Sequence, residues 1–180
     1  MVKLIVLAAL LAAAPVRADD RAGLVSLSLS AGAAAPLGGA TVRRNAKLGP
    51  GCGGAVSLAL SESWDAAFSY DSLNMFKTRR LRLEPFLLSA TRSWRGAGYW
   101  TPAVRFGAGP VIVHQARPRD TDSQTSFAVR TGLGVDYSLT PDLGLAAWAD
   151  YLFAARSNSD SREVHAATAT LAMTFKLGKL

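Results

Sequence analysis

Two histidines, His114 and His165, are the residues whose type could support acid–base chemistry. A hydroxyl becomes a nucleophile only beside a base. The residues two positions after the histidines, which would share their face in a strand, are Ala116 and Ala167, and neither carries a hydroxyl. The polar residues that follow His114 are of types common in any loop: Asp120, Asp122 and Ser123. We therefore predict no catalytic residues and a protein that is not an enzyme.

Metal and cofactor chemistry is also unsupported by the residue pattern. The chain has one cysteine, Cys52, with no second cysteine and no histidine beside it. It therefore offers neither an internal disulfide nor the spacing of metal ligands. We interpret Cys52 as a small loop residue, and we predict no metal and no cofactor.

The first 18 residues predict a secretory signal peptide. Lys3 supplies the positive start, residues 4–14 form an apolar run too short to span a bilayer, and Ala18 ends a plausible cleavage site. We expect cleavage after Ala18 and a single domain over residues 19–180.

Without Lys3 and Arg17 the chain keeps 18 basic against 13 acidic residues, a net charge of about +5. An exported basic chain meets phosphate mainly as lipid head groups, so we expect lipid partners and no nucleic acid.

Beyond the signal peptide, apolar residues alternate with polar or small ones, as in strands that present two different faces. Eight segments of roughly ten residues show this period: 24–33, 54–61, 64–71, 81–88, 104–112, 127–137, 143–153 and 166–177. The least regular is 81–88, where Phe86 and Leu88 fall among the polar positions.

The connections between these segments tend to alternate in length. The predicted short turns are residues 61–63, 93–98 and 140–142. The predicted longer loops are residues 34–53, 74–79, 114–124 and 154–164. The alternation is imperfect, because the loop 74–79 is no longer than the turn 93–98. Short turns on one side and longer loops on the other are typical of outer-membrane barrels. The pattern predicts an all-β fold, an eight-stranded antiparallel up-and-down transmembrane β-barrel.

Charged residues gather on one of the two strand faces, where positive and negative charges balance. By parity this face carries Asp65, Asp71, Arg82, Glu84, Arg92, Arg105, Arg130, Asp136, Asp150 and Lys176. The other face is nearly free of charge, as lipid contact requires, because an arginine there costs ~2–4 kcal/mol at mid-bilayer. A soluble lipocalin-like barrel would instead be apolar inside and polar outside. We interpret the balanced charges as a salt-bridged lumen plug, with a gate or narrow ion path as the alternative.

Two of the longer connections are basic. In or beside them lie Arg43, Arg44, Lys47, Lys77, Arg79 and Arg80, whereas the other two are near neutral. Such residues could bind lipopolysaccharide phosphates through charge-assisted hydrogen bonds, or they could be ordinary solvated charges. The leading hypothesis is a non-enzymatic structural or surface-interaction role with lipopolysaccharide contact.

The stretch GLGVDYSLTPDL, residues 132–143, resembles the strand–turn–strand unit of small outer-membrane barrels, namely the OmpA-like transmembrane domain and the opacity-protein and OmpW-like families. The last strand, with Thr170, Ala172, Phe175 and Leu177, resembles the signal that barrel-assembly machinery reads, although Ala172 replaces a usual glycine and Leu177 a usual aromatic residue. The resemblance implies a Gram-negative outer-membrane location and the assembly machinery as a partner. We expect a monomer.

Two alternative functions follow from other small barrels. The lipid A deacylases carry a histidine and a serine two residues apart, together with a glutamate. Neither His114 nor His165 matches that spacing, since alanine occupies both positions. A lipid A-modifying enzyme and a narrow pore therefore stay as alternatives to the surface-interaction role.

Overall fold

The computed structural model describes residues 21–37, 47–76, 80–94, 100–117, 120–155 and 163–179. Every regular element within these ranges is a strand. The strands are β1 (Leu24–Pro36), β2 (Gly49–Ala59), β3 (Trp64–Phe76), β4 (Arg80–Ser93), β5 (Trp100–Arg117), β6 (Asp120–Ser138), β7 (Leu143–Ala155) and β8 (Val164–Lys179). Over the same residues, no helix has the length and apolar character needed to cross a membrane.

Each strand pairs antiparallel with the next in the chain, and β1 pairs antiparallel with β8 to close the barrel. Closure satisfies the backbone groups of every strand, which an open sheet would leave unpaired at its two edges. This confirms the predicted all-β, eight-stranded antiparallel barrel. The end that carries connections 60–63, 94–99 and 139–142 is called the turn end here, and the opposite end the loop end.

The hairpin of β5 and β6 is longer than the sequence pattern predicted. The two strands contain 18 and 19 residues and pair as far as Arg117 and Asp120. The predicted loop over 114–124 was therefore wrong, because its described residues, 114–117 and 120–124, are strand. A strand that extends past the apolar part of a barrel can carry polar residues on its outer face, so polar residues there do not indicate a loop.

The outward face of the barrel is a belt of exposed apolar side chains. Its large members have relative exposures between 44% and 71%: Leu29, Val56, Phe68, Leu88, Phe106, Leu133 and Leu171. Aromatic residues border this belt towards the turn end, where the rings of Trp100 and Tyr137 lie 4.6 Å apart. Towards the loop end Tyr70 contacts Phe86 at 4.8 Å. The belt has the alternation and aromatic borders of a surface that faces lipid.

The interior towards the loop end is packed with apolar side chains. We call this group the apolar plug: Ala34, Leu73, Met75, Leu81, Leu83, Leu87, Val111, Val113, Ala128, Leu152, Ala154, Val164 and Ala166. Its side chains are at most 8% exposed. At eight strands a lumen is just wide enough to be filled by side chains, and here the loop-end part is filled with hydrocarbon.

Strand β4 faces the opposite way from the parity inferred from the sequence. Its leucines at 81, 83 and 87 point inward as part of the apolar plug, so Arg82, Glu84 and Arg92 face outward. The first two lie beyond the apolar belt at the loop end. Arg92 lies near the turn end, with its guanidinium 5.7 Å from the Trp64 ring centroid and 5.5 Å from that of Trp94. At both ends of the strand a charged side chain can reach the polar boundary of a bilayer. The leucines of β4 meanwhile fill the interior.

Cys52 also differs from its interpretation as a loop residue. It lies in β2, paired with Ala31 of β1 and Ser72 of β3, and its side chain is exposed on the outward face. Pro50, Gly51, Gly53 and Gly54 surround it, and residues of these types are depleted in strands. Pairing with two neighbouring strands therefore overrides the local turn signal.

Candidate functional site

Two ion pairs cross the middle of the lumen. Arg130 pairs with Asp71, and both side chains are nearly buried. Arg105 donates from Nε and Nη2 to the two carboxylate oxygens of Asp150, at 2.6 and 2.5 Å. The hydroxyl of Thr168 donates to the same carboxylate at 3.2 Å. Because each buried carboxylate has a guanidinium partner, the layer offsets charges that would be costly if unpaired.

A polar cavity of about 180 Å³ occupies the lumen between this layer and the turn end. Serine and threonine side chains line much of it, together with Asp65 and Asp136. Arg21, just before β1, lies 3.4 Å from Asp65, and the Lys176 ammonium donates to the carbonyl of Pro141 at 2.5 Å. The ion pairs and the apolar plug bound the cavity towards the loop end, so the described side chains close the lumen there.

The outward face at the loop end carries a hydrogen-bonded group of side chains on four adjacent strands, β3 to β6. We call it the loop-end polar cluster: Tyr70, Ser72, Arg82, Glu84, His114 and Ser123. The strand register assembles it, because His114 of β5 pairs directly with Arg82 of β4 on one side and with Ser123 of β6 on the other.

His114 is the centre of this cluster. Its Nδ1 lies 2.8 Å from the Ser123 hydroxyl oxygen, and its Nε2 lies 3.1 Å from Oε2 of Glu84. The Tyr70 hydroxyl donates to Oε1 of Glu84 at 3.2 Å, and Arg82 forms an ion pair with the same oxygen. Sequence reasoning considered Ser123 only as a loop residue, whereas the hairpin register places it opposite the histidine.

The second histidine has different partners. The Tyr151 hydroxyl is hydrogen-bonded to Nδ1 of His165, and the carboxylate of Glu163 lies 3.4 Å from Nε2. The Phe153 ring centroid lies 5.3 Å from that of His165. A phenol therefore takes the place that an aliphatic hydroxyl has at His114. Over the part of the chain that the structure describes, no three His, Cys, Asp or Glu residues are placed to hold a metal ion.

The basic residues singled out in the sequence belong to or flank two connections, one between β1 and β2 and one between β3 and β4. Lys47 is exposed just before β2, and Arg80 begins β4, paired with Phe76 of β3. Four others fall outside the described residues: Arg43, Arg44, Lys77 and Arg79. Because β1 to β4 are consecutive neighbours, the strand ends that flank the two connections lie side by side.

No known protein family matches the sequence, and no curated protein matches it. Solved structures do match the fold. Neisserial surface protein A is 16% identical, with a TM-score of 0.69 over 87% of this chain and 98% of that one. The N-terminal β-barrel domain of Pseudomonas aeruginosa OprF is 16% identical, with a TM-score of 0.60 over 84% and 97%.

The attachment invasion locus protein Ail of Yersinia pestis is 16% identical, with a TM-score of 0.55 over 87% of this chain and 99% of that one. Ail is also solved in complex with the heparin analogue sucrose octasulfate, at 14% identity and a TM-score of 0.52 over 85% and 99%. At these identities the likeness concerns the fold. This chain has the fold of the small eight-stranded outer-membrane β-barrels.

Proposed function

We propose that this protein is an integral barrel of a Gram-negative outer membrane with a structural or surface-interaction role, whose loop end binds the phosphates of lipopolysaccharide. The observation that carries the membrane placement is the exposed apolar belt between two aromatic borders. A soluble barrel would have no reason to expose large apolar side chains around its whole circumference. A lumen closed by side chains at the loop end favours a role at the surface over one in transport.

The basic residues of the two adjacent connections support the lipopolysaccharide contact. They lie at the end that would face outward if the short turns are periplasmic. Each lysine or arginine near an anionic lipid surface contributes about 1 kcal/mol. Ail, a barrel of the same fold, takes up a polyanionic sugar in its complex with sucrose octasulfate. That complex is a property of Ail, and it is a precedent for polyanion binding by a barrel of this fold.

The test replaces Arg43, Arg44, Arg79 and Arg80 together with glutamine in the folded protein. Binding to lipopolysaccharide micelles should fall at least tenfold, and wild-type binding should weaken as salt rises, because screening acts on exposed charges. The matched control replaces Arg117 and Arg119 of the near-neutral β5–β6 hairpin and should change binding little. Retained binding in the fourfold variant would defeat the proposal.

Location is tested separately by heat-modifiable gel migration of the outer-membrane fraction. A folded barrel that resists detergent until boiled would support the placement, and N-terminal sequencing of that band should begin at Asp19 if the signal peptide is cleaved after Ala18. Recovery of the protein only in the soluble fraction would contradict it. Equal binding to phosphatidylglycerol vesicles and to lipopolysaccharide would reduce the contact to general attraction for anionic lipid.

A further inference from the structure

The hydrogen bonds around His114 define the direction of a proton chain. A carboxylate only accepts hydrogen bonds, so the contact with Glu84 places the ring proton on Nε2. In the neutral tautomer with its proton on Nε2, Nδ1 accepts a hydrogen bond from the Ser123 hydroxyl, 2.8 Å away. A serine donating to a neutral imidazole whose other nitrogen is held by a carboxylate is the arrangement that activates a serine as a nucleophile.

The carboxylate of this chain is itself held in place. Tyr70 and Arg82 both contact Oε1 of Glu84, which leaves Oε2 for the histidine. Arg82 is anchored in turn, because its Nε donates to the hydroxyl of Ser72 at 3.2 Å. The Glu84 side chain is 13% exposed, whereas the serine at the other end of the chain is exposed. The buried end is thus rigidly supported, and the reactive end is accessible.

The three residues lie at the border of the apolar belt. The next outward-facing residues towards the turn end are Phe86 on β4 and Ile112 on β5. From Trp100 to Ile112, β5 extends ~40 Å at ~3.3 Å per residue, or about 30 Å once a tilt near 40° is included. That height matches the hydrocarbon core of a bilayer. Ser123 therefore faces the level where acyl chains join head groups.

From these observations we infer that Ser123, His114 and Glu84 form a serine-esterase triad that removes an ester-linked acyl chain from a membrane lipid. Ser123 and His114 are the catalytic residues, and Glu84 is a positioning residue that acts through the imidazole. The inference rests on the proposed membrane placement, but it does not depend on the basic loop residues.

The reaction balances with water as the only co-reactant. The Ser123 oxygen attacks the ester carbonyl while its proton passes to Nδ1 of His114. The intermediate collapses to an acyl-serine, and the departing lipid oxygen takes that proton as an alcohol. Water then attacks the acyl-serine with His114 as base, which releases a fatty acid and restores the serine. The products are one fatty acid and one lipid with a free hydroxyl.

The test uses the full-length protein folded in detergent, with folding of each variant checked by heat-modifiable gel migration. A fluorophosphonate probe, which phosphonylates an activated serine with loss of fluoride, should label Ser123, as read by peptide mass spectrometry. Ser123→Ala should abolish the label, and His114→Ala should slow labelling by about 10²–10⁴-fold. The matched controls are Thr125→Val, on the same face of β6, and His165→Ala. Both should label at the wild-type rate.

Substrate and positioning are tested on the same samples. Fatty acid release is measured from phosphatidylethanolamine vesicles and from purified lipopolysaccharide, which separates the two sources of ester. Glu84→Gln should slow labelling, and Glu84→Asp should restore part of the rate, which a merely structural role would not predict. Correctly folded wild-type protein that neither labels at Ser123 nor releases fatty acid would overturn the inference, as would equal release by Ser123→Ala. Lipopolysaccharide binding that persists in that case would leave the proposed function standing.

Discussion

Replacing Arg105 with methionine should destabilise the barrel far more than an equivalent change on its surface. Asp150, the partner of Arg105, has a side chain that is 1% exposed, so Arg105→Met leaves a buried charge without its guanidinium. Breaking a buried pair from one side costs about 3–5 kcal/mol. The arginine is 19% exposed to the lumen, which favours the lower half of that range. Its guanidinium also lies 4.3 Å from the Trp148 ring centroid, and that contact is lost too.

A second substitution separates the buried charge from the packing. In Arg105→Met/Asp150→Asn the charge is gone and the amide oxygen still accepts the Thr168 hydroxyl, so about 2 kcal/mol of the loss should return. Arg82→Met is the surface control, because Arg82 is 48% exposed in its pair with Glu84. It should cost no more than about 1 kcal/mol.

The measurement is equilibrium urea unfolding of protein refolded into phospholipid vesicles, followed by tryptophan fluorescence. The free energies of unfolding of the two single variants and the double variant are compared with wild type. If Arg105→Met costs no more than Arg82→Met, or if the double variant is no more stable than Arg105→Met, the lumen pair does not offset a buried charge as reasoned above.

Three further predictions concern the seam, the belt and the lumen. Gly32→Ala should lower the free energy of unfolding by about 1–3 kcal/mol in the same assay, because a Cβ there would overlap the carbonyl oxygen of Ala169 across the β1–β8 seam. The control Gly144→Ala should be nearly neutral, because the nearest atom to its Cβ would be 3.5 Å away. Cys52 lies nearer the loop end of β2 than Val56, which belongs to the apolar belt. A spin label on Cys52 should therefore be more accessible to a water-soluble relaxation agent than a label on Val56→Cys in a cysteine-free background. Equal accessibility would contradict the placement of the belt in lipid. In planar bilayers the protein should show no conductance above background, and regular single-channel steps would contradict a lumen closed by side chains.

Much of the barrel is predictable from the sequence because a strand has a side-chain period of two, and a barrel with lipid outside must keep its outward positions apolar. The run from Phe127 to Tyr137 shows this clearly, and its alternate positions face outward in the structure as expected. Turn residues such as Pro141 and Asp142 mark the end between β6 and β7 for the same local reason. Strand number and antiparallel order follow from such short-range signals.

Tertiary structure decided which groups meet. The orientation of β4 could not be read from its own residues, because leucines and charges alternate there in a way that fits either face. The apolar plug settles it, since Leu83 and Leu87 complete a cluster drawn from seven of the eight strands. The ion pair of Arg105 with Asp150 joins residues 45 positions apart, a contact that no local pattern contains.

The same holds for the loop-end polar cluster, in which His114 meets a serine nine residues on and a glutamate 30 residues back. Neither partner lies two positions along the same strand, because in a sheet the neighbours at hydrogen-bonding distance lie on adjacent strands. By itself the sequence determined that this chain alternates and closes as a barrel. The register between strands, which depends on the closure of all eight, decided which side chains became partners.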